Sequence, residues 1–190
     1  MTYRFTACFL LAGALTAGSL PHGTALDFEP GSTTVAFTLG DVLHPVHGTF
    51  RLKRGRIEFD PVTGAATGLL VVDAASGNSG SGARDKRMLK NVLETERYPD
   101  ITFRPDRVEG TVAPAGASQV RVHGVFGIHG AEHEITIPAQ VEASAGQLVA
   151  TLTFPVPYVK WGMKDPSNFL LKVKDTVDIE IKTTARSAHE

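Results

Sequence analysis

From Thr34 onward the chain alternates apolar and polar residues with a period of two: Val35, Phe37 and Leu39 face one way, Thr34, Ala36 and Thr38 the other. A residue that must reach the opposite side at every step is in an extended strand, because successive side chains leave a strand on opposite faces. The same period recurs in Val46-Gly48-Phe50-Leu52, Ile57-Phe59, Ile101-Phe103, Ile135-Ile137-Ala139-Val141, Leu148-Ala150-Leu152-Phe154 and Val177-Ile179-Ile181. Two further runs, Thr67 to Asp73 and Gln119 to Ile128, are strand-like but apolar or glycine-containing on both faces. At least eight strands are therefore available, and no regular alternation of helix and strand interrupts them.

Turn residues separate the runs at Lys53-Arg54-Gly55, at Asp60-Pro61 with Gly64, at Pro114-Ala115-Gly116 and between Ala143 and Gly146. Connections this short join sequential antiparallel strands. One segment departs from the pattern: between Ala83 and Leu93 the apolar Met88, Leu89, Val92 and Leu93 form a stripe and Lys86, Arg87, Lys90 and Asn91 lie elsewhere, as in a single short amphipathic helix. It is preceded by Ser76-Gly77-Asn78-Ser79-Gly80-Ser81-Gly82, which reads as a flexible loop. The expected fold class is all-β, an up-and-down barrel or a sandwich, with the barrel favoured because closure removes exposed strand edges.

Closure matters because no covalent staple is available. The single cysteine, Cys8, falls in an N-terminal stretch that has Arg4 followed by apolar and small residues from Phe5 to Leu20. That stretch has the pattern of a secretory signal peptide, with Gly23 and Ala25 placed for cleavage before Leu26. The expected organisation is a leader over residues 1–25 and one barrel domain over 26–190, periplasmic or secreted, with no stable membrane span after leader removal. The mature chain then has no thiol for disulfide or redox chemistry. With 19 basic against 20 acidic residues the overall field is weak, so no nucleic-acid partner is expected.

Motifs for chemistry are absent or misplaced. His44, His47, His129 and His133 invite a metal hypothesis, but His44 and His47 flank Pro45 on opposite strand faces, and no cysteine completes a tetrahedral set. Ser76, His129 and Asp85 can be written as a triad, yet no nucleophile-elbow sequence surrounds the serine. Gly77, Gly80 and Gly82 are not followed by the Gly-Lys-Ser/Thr of a phosphate loop. No catalytic residue, metal ligand or cofactor is assigned, and the chain reads as a binding protein rather than an enzyme. The basic run from Arg84 to Lys90 reads as a solvated face, with contact to an acidic head group as the alternative, and Arg84 beside Asp85 suits a local ion pair at the helix start.

Phenylalanine carries the remaining signal. Ten phenylalanines against three tyrosines and one tryptophan place most of the aromatic bulk in rings without a hydrogen-bonding group, suited to a dry cavity. Phe37, Phe50, Phe59, Phe103, Phe126 and Phe154, with Ile101, lie on the expected strands and are the candidate lining of a lumen. They serve equally well to fill it, and the pattern alone leaves both readings open. The segment from Pro155 to Pro166, with three prolines and the only tryptophan, reads as a structured loop from which Trp161 and Met163, with Phe169 beyond it, close or plug one barrel end.

Several of these stretches resemble the YceI-like family of bacterial exported lipid-binding proteins. Val46-His47-Gly48-Thr49-Phe50 and Gly55-Arg56-Ile57-Glu58-Phe59-Asp60 look like its opening hairpin. Arg84-Asp85, Met88-Leu89 and Tyr98-Pro99-Asp100-Ile101-Thr102-Phe103 look like its helix and following strand, and Ile128-His129-Gly130 like its histidine-glycine turn. The chain departs from the family pattern at Arg87, where histidine is usual, and at Val92-Leu93, where a phenylalanine pair is usual. The resemblance implies an extended, eight-stranded antiparallel lipocalin-like barrel whose lumen holds a polyisoprenoid or isoprenoid quinone. On that expectation a charge introduced at Phe50 or Phe103 abolishes binding. The rival expectations are a filled barrel acting through its outer surface and a histidine-dependent metal protein; a homodimer of barrels is compatible with any of them.

Overall fold

In the computed structural model, which describes residues 23–41, 44–144, 146–167 and 172–188, the alternating runs form nine antiparallel strands. These are β1 (Thr24–Phe28), β2 (Thr33–Asp41), β3 (Val46–Phe59), β4 (Ala66–Asn78), β5 (Asp100–Glu109), β6 (Gly116–Ile128), β7 (Ala131–Ser144), β8 (Gln147–Val156) and β9 (Val173–Ala188). Strands β2 to β9 pair in sequence order, and β9 returns to β2, so eight strands close a barrel. β1 is the extra strand. It pairs with β3 and β9, the same two neighbours as β2, and is joined to β2 through a single 3-10 turn at Pro30–Ser32. The two together act as one broken stave.

The staves are long. β3 and β7 each have 14 residues, which at about 3.3 Å per residue and a tilt near 40° gives a barrel roughly 35 Å tall. β7 shows how the sequence builds the wall: Ile135, Ile137, Ala139 and Val141 point inward, and Glu132, Glu134, Thr136, Pro138, Gln140 and Glu142 are exposed outside.

β3 and β5 each change phase partway at a one-residue bulge. In β3 the inward residues are Gly48, Phe50 and Leu52, then Gly55, Ile57 and Phe59; Lys53 is the extra residue, since Leu52 pairs with Val72 and Arg54 with Val71. The expected turn at Lys53-Arg54-Gly55 is thus the middle of a continuous strand, because one inserted residue shifts the pattern as a turn would. Lys53 points outward, where Asp100 lies 2.5 Å and Asp73 3.7 Å from its ammonium. In β5 the extra residue is Asp106, between Pro105 and Arg107, and the bulge accommodates a proline that an unbroken ladder would reject.

The two ends differ. At one end, short hairpin turns join β3–β4, β5–β6 and β7–β8, and Leu26, Val108, Val112, Val120 and Leu148 line the interior. The other end carries the longer connections. Between β4 and β5 the chain forms α1 (Gly82–Arg87), which runs directly into a π-helical turn at Met88–Val92. The expected single helix is therefore two geometries in succession, and Leu93 N–H donates to the Met88 carbonyl at its end. The expected flexible loop is largely ordered. Ser76, Gly77 and Asn78 finish β4, and Gly77 is buried because a Cβ there would sit 2.6 Å from Met88 Cε and 2.7 Å from a Phe50 ring carbon. A glycine chosen by close approach resembles, in sequence, one chosen for freedom.

At the same end β6 and β7 meet in a two-residue turn, His129-Gly130, with φ of 52° and 74°. A hairpin turn that needs positive φ at both central residues suits glycine second, and here Tyr98 lies over Gly130 where a Cβ would be 2.4 Å from its ring. Among the described residues no helix is long and apolar enough to cross a membrane. The expected leader falls on residues outside the described range except for Gly23, Thr24 and Ala25; Thr24 and Ala25 are already paired to Phe59 and Glu58.

Candidate functional site: an apolar lumen with one polar mouth

The barrel is not filled by its own side chains. Toward the helix-bearing end lies a cavity of about 480 Å³, and beyond it, deeper in the barrel, a second of about 140 Å³. The larger falls in the range of ordinary small-molecule pockets. Val35, Val72, Ile101, Phe126, Phe154 and Ile181 line both, so the two chambers share a waist at mid-height. A wider groove of about 560 Å³ on the outer wall, near Gln119 and Gln140, is shallow, polar and formed mostly by outward-facing residues. It offers no enclosure.

Of the residues singled out in the sequence, Phe37 and Phe50 line the outer chamber, with ring centroids 5.3 Å apart. Phe59 and Phe103 line the inner one, and Ile101, Phe126 and Phe154 stand at the waist. Phe126 meets Phe154 edge-on, centroids 5.9 Å apart and planes at 77°. Trp161 lines neither chamber: it lies against Phe126, 5.8 Å away, and stacks flat on His133 at 3.9 Å and 6°. Phe169 lies outside the described residues. Tyr158 and Met163 do face the outer chamber from the loop after β8, and both are buried.

The site also contains residues that the apolar pattern did not single out as lining. Val35, Val72, Val177 and Ile181 lie in strand runs whose two faces the alternation separates without showing which one turns inward. Ser79, Ser81, Arg84 and Arg87 form the mouth of the outer chamber. Arg84 does not pair directly with Asp85, as its neighbouring position suggested. Ser79 lies between them: its N–H and Oγ donate to Asp85 Oδ1 at 2.8 and 2.5 Å, and Arg84 donates to Ser79 Oγ and to its carbonyl at 2.7 and 3.0 Å.

Tyr158 is the phenol on the wall of the outer chamber. Burial, assisted by the carboxylates of Asp165 and Asp175, pushes that hydroxyl up to about 12, and it donates to the Lys174 carbonyl at 2.8 Å. It is a locked neutral group. The paper triad is dispersed: Ser76 Oγ donates to the Asp73 carbonyl, Asp85 is held by Ser79, and His129 lies beside Tyr98 and Glu94. His47 meets Thr38 on the exterior at 3.0 Å, and among the described residues no three His, Cys, Asp or Glu side chains converge in a way that could hold a metal.

His133 is the inward-facing imidazole of β7, and its Nε2 is buried without a hydrogen-bond partner among the described residues. Burial holds it below the ordinary histidine value of 6.5. The folded state therefore binds fewer protons than the unfolded state in the window below 6.5, and stability must fall as pH drops through that window until the folded-state imidazole also protonates. His133→Phe keeps a flat ring on Trp161 and removes the buried nitrogen. Urea unfolding at pH 7.5 and pH 5.0 is expected to show a smaller acid loss in the variant. An identical acid loss in both proteins would place the dependence elsewhere.

A closed antiparallel barrel with an apolar lumen, polar at one end among the described residues, defines a class of closed β-barrels rather than a single activity. Within that class the assignment is specific: the profile described as YceI-like domain matches residues 26–185, and the chain belongs to the YceI-like family.

Solved structures agree on the fold. BcnA of Burkholderia cenocepacia superimposes with a TM-score of 0.70 at 18% identity, over 85% of this chain and all (100%) of that one. A polyisoprenoid binding domain from Saccharophagus degradans gives 0.63 at 19% identity, over 86% and 98%, and a Campylobacter jejuni YceI protein 0.58 at 15%, over 100% and 94%. In sequence alone the chain is also 25% identical to UDP-N-acetylglucosamine 1-carboxyvinyltransferase 1 of Staphylococcus epidermidis and 23% identical to the Staphylococcus aureus protein of that name, covering 94% of this chain but 44% of each. The chain spans less than half the length of these curated relatives.

Proposed function

We propose that this protein is an exported, non-catalytic carrier that holds one long apolar chain, a polyisoprenoid or isoprenoid quinone, in its barrel lumen. The observation that carries the reading is the pair of apolar chambers within the closed sheet, which share lining residues at mid-height, the outer one lined at its end by α1. Phe37, Phe50, Phe59, Ile101, Phe103, Phe126 and Phe154 would contact the chain. Trp161 would act from behind Phe126, as a wall. The Saccharophagus degradans relative, described as a polyisoprenoid binding domain, supports the ligand class, and the apolar stretch before Gly23 supports export through a cleaved leader to the periplasm or exterior.

Chain length follows from the energetics. Burial yields about 0.8 kcal/mol per methylene, and association costs about 4–15 kcal/mol before any affinity appears. About ten buried carbons would yield about 8 kcal/mol, inside that range, and about twenty would yield about 16, just above its upper end. A lumen with two chambers in series suits the longer occupant.

The test is to purify the chain from an exporting bacterial host, extract it with organic solvent, and measure bound lipid by mass spectrometry against protein concentration. A near-equimolar isoprenoid is the expected result. Folded protein that carries no lipid, and takes none up when offered, would overturn the carrier reading.

A further inference from the structure

We infer that the mouth of the outer chamber is a subsite for an anionic head group, so that the preferred occupant is an amphiphile ending in a carboxylate or a phosphate rather than a neutral one. This deepens the lumen reading above and rests on it.

Among the described residues that line the outer chamber, the charged ones are Arg84 and Arg87, and no acidic side chain joins them. Both belong to α1, both are exposed, and they flank Ser79 and Ser81 on the lip of an otherwise apolar space. A chain seated in the chambers therefore delivers its polar end to two guanidinium groups and two hydroxyls.

The two arginines are not equivalent. Arg84 is held in place: two of its nitrogens donate to the Ser79 hydroxyl and carbonyl, and Asp85 fixes Ser79 from the other side. The nearest acid on the helix is thus engaged by Ser79, and its charge is set back from the chamber. Arg87, one turn further along α1, makes no hydrogen bond or ion pair within the described structure. It is the free donor at the lip.

The remaining charges around the mouth do not cancel this pair. Lys86 on α1 and Lys90 on the π-helical turn add positive charge. The two acids that act on the Tyr158 hydroxyl, Asp165 and Asp175, do not line the chamber: Asp165 accepts hydrogen bonds from Ser167 and lies close to the Lys172 ammonium, and Asp175 accepts one from Thr176 Oγ1 at 3.1 Å. A planar guanidinium binds carboxylate or phosphate oxygens through paired, charge-assisted hydrogen bonds, and cannot make the same contact with an alcohol.

The test uses three ligands with the same twenty-carbon chain: geranylgeraniol, geranylgeranoic acid and geranylgeranyl monophosphate. Affinities for the full chain are measured by calorimetry at pH 8 and low salt. The anionic ligands are expected to bind roughly 10- to 100-fold more tightly than the alcohol, and whichever of the two is tighter names the natural head group. In the double variant Arg84→Gln/Arg87→Gln that preference should vanish. Arg87→Gln alone, which breaks no contact within the protein, should reduce it about tenfold. Equal affinities for all three ligands, or a preference that survives in the double variant, would overturn the head-group inference and leave the lumen reading standing. Failure of all three to bind would overturn the lumen reading itself.

Discussion

Phe126→Asp is expected to empty the lumen. Phe126 is 8% exposed, stands at the waist shared by the two chambers, and packs on Phe154 and Trp161. Removing the ring costs about 3–5 kcal/mol in a packed core, and a carboxylate in its place must either stay charged without a partner or take up a proton. An apolar chain crossing the waist would have to pass that group at van der Waals distance. Bound lipid measured by extraction should fall from near-equimolar to background, and the urea midpoint should drop sharply. Phe126→Leu is the companion that separates folding from binding: it is expected to cost about 1 kcal/mol and to retain lipid. A charge at Phe50 or Phe103, the positions singled out by the sequence, would obstruct one chamber only. A folded Phe126→Asp protein that still carries one lipid per chain would place the ligand outside the barrel.

The waist shows where the sequence was sufficient and where it was not. Period-two alternation identified the staves because each is dry on one face and wet on the other, as Val35-Phe37-Leu39 and Ile135-Ile137-Ala139-Val141 illustrate. It failed at Lys53, where an inserted residue reverses the phase in the same way as a turn, and at β1, where Leu26 and Phe28 offer too few repeats to stand out beside the apolar stretch that precedes Gly23. Which inward residues meet at one height is decided by strand register and barrel closure, both nonlocal. Hence Phe37 and Phe103, equal in the pattern, fall in different chambers. Trp161 was legible as a residue near the open end but not as a ring stacked on His133, since that contact depends on how the loop after β8 folds back. The mouth was visible only as a basic run on a helix. Its meaning came from the empty space beside it.

Closing so narrow a barrel requires strands to approach more closely than side chains permit, and Gly68 marks the sharpest such point. Its φ is 139°, and a Cβ there would lie 2.2 Å from the Arg56 carbonyl oxygen and 2.8 Å from Ile57 Cα, both backbone atoms of β3. Neither can move without disturbing the ladder that joins β3 to β4. Gly68→Ala is therefore expected to combine the penalty of an unfavourable backbone region with a clash that no rotamer relieves, roughly 3–4 kcal/mol in all, or a fall in Tm of about 10 °C. Gly80→Ala supplies the matched comparison. Its φ is 79° but nothing lies within 4 Å of the added carbon, so only the conformational cost of about 1 kcal/mol remains, with a Tm shift of about 3 °C. Calorimetric scans of the two variants measure the difference directly. Equal shifts would mean that β3 and β4 can separate at Gly68 without penalty, and the tight approach there would then be incidental to closure rather than a condition of it.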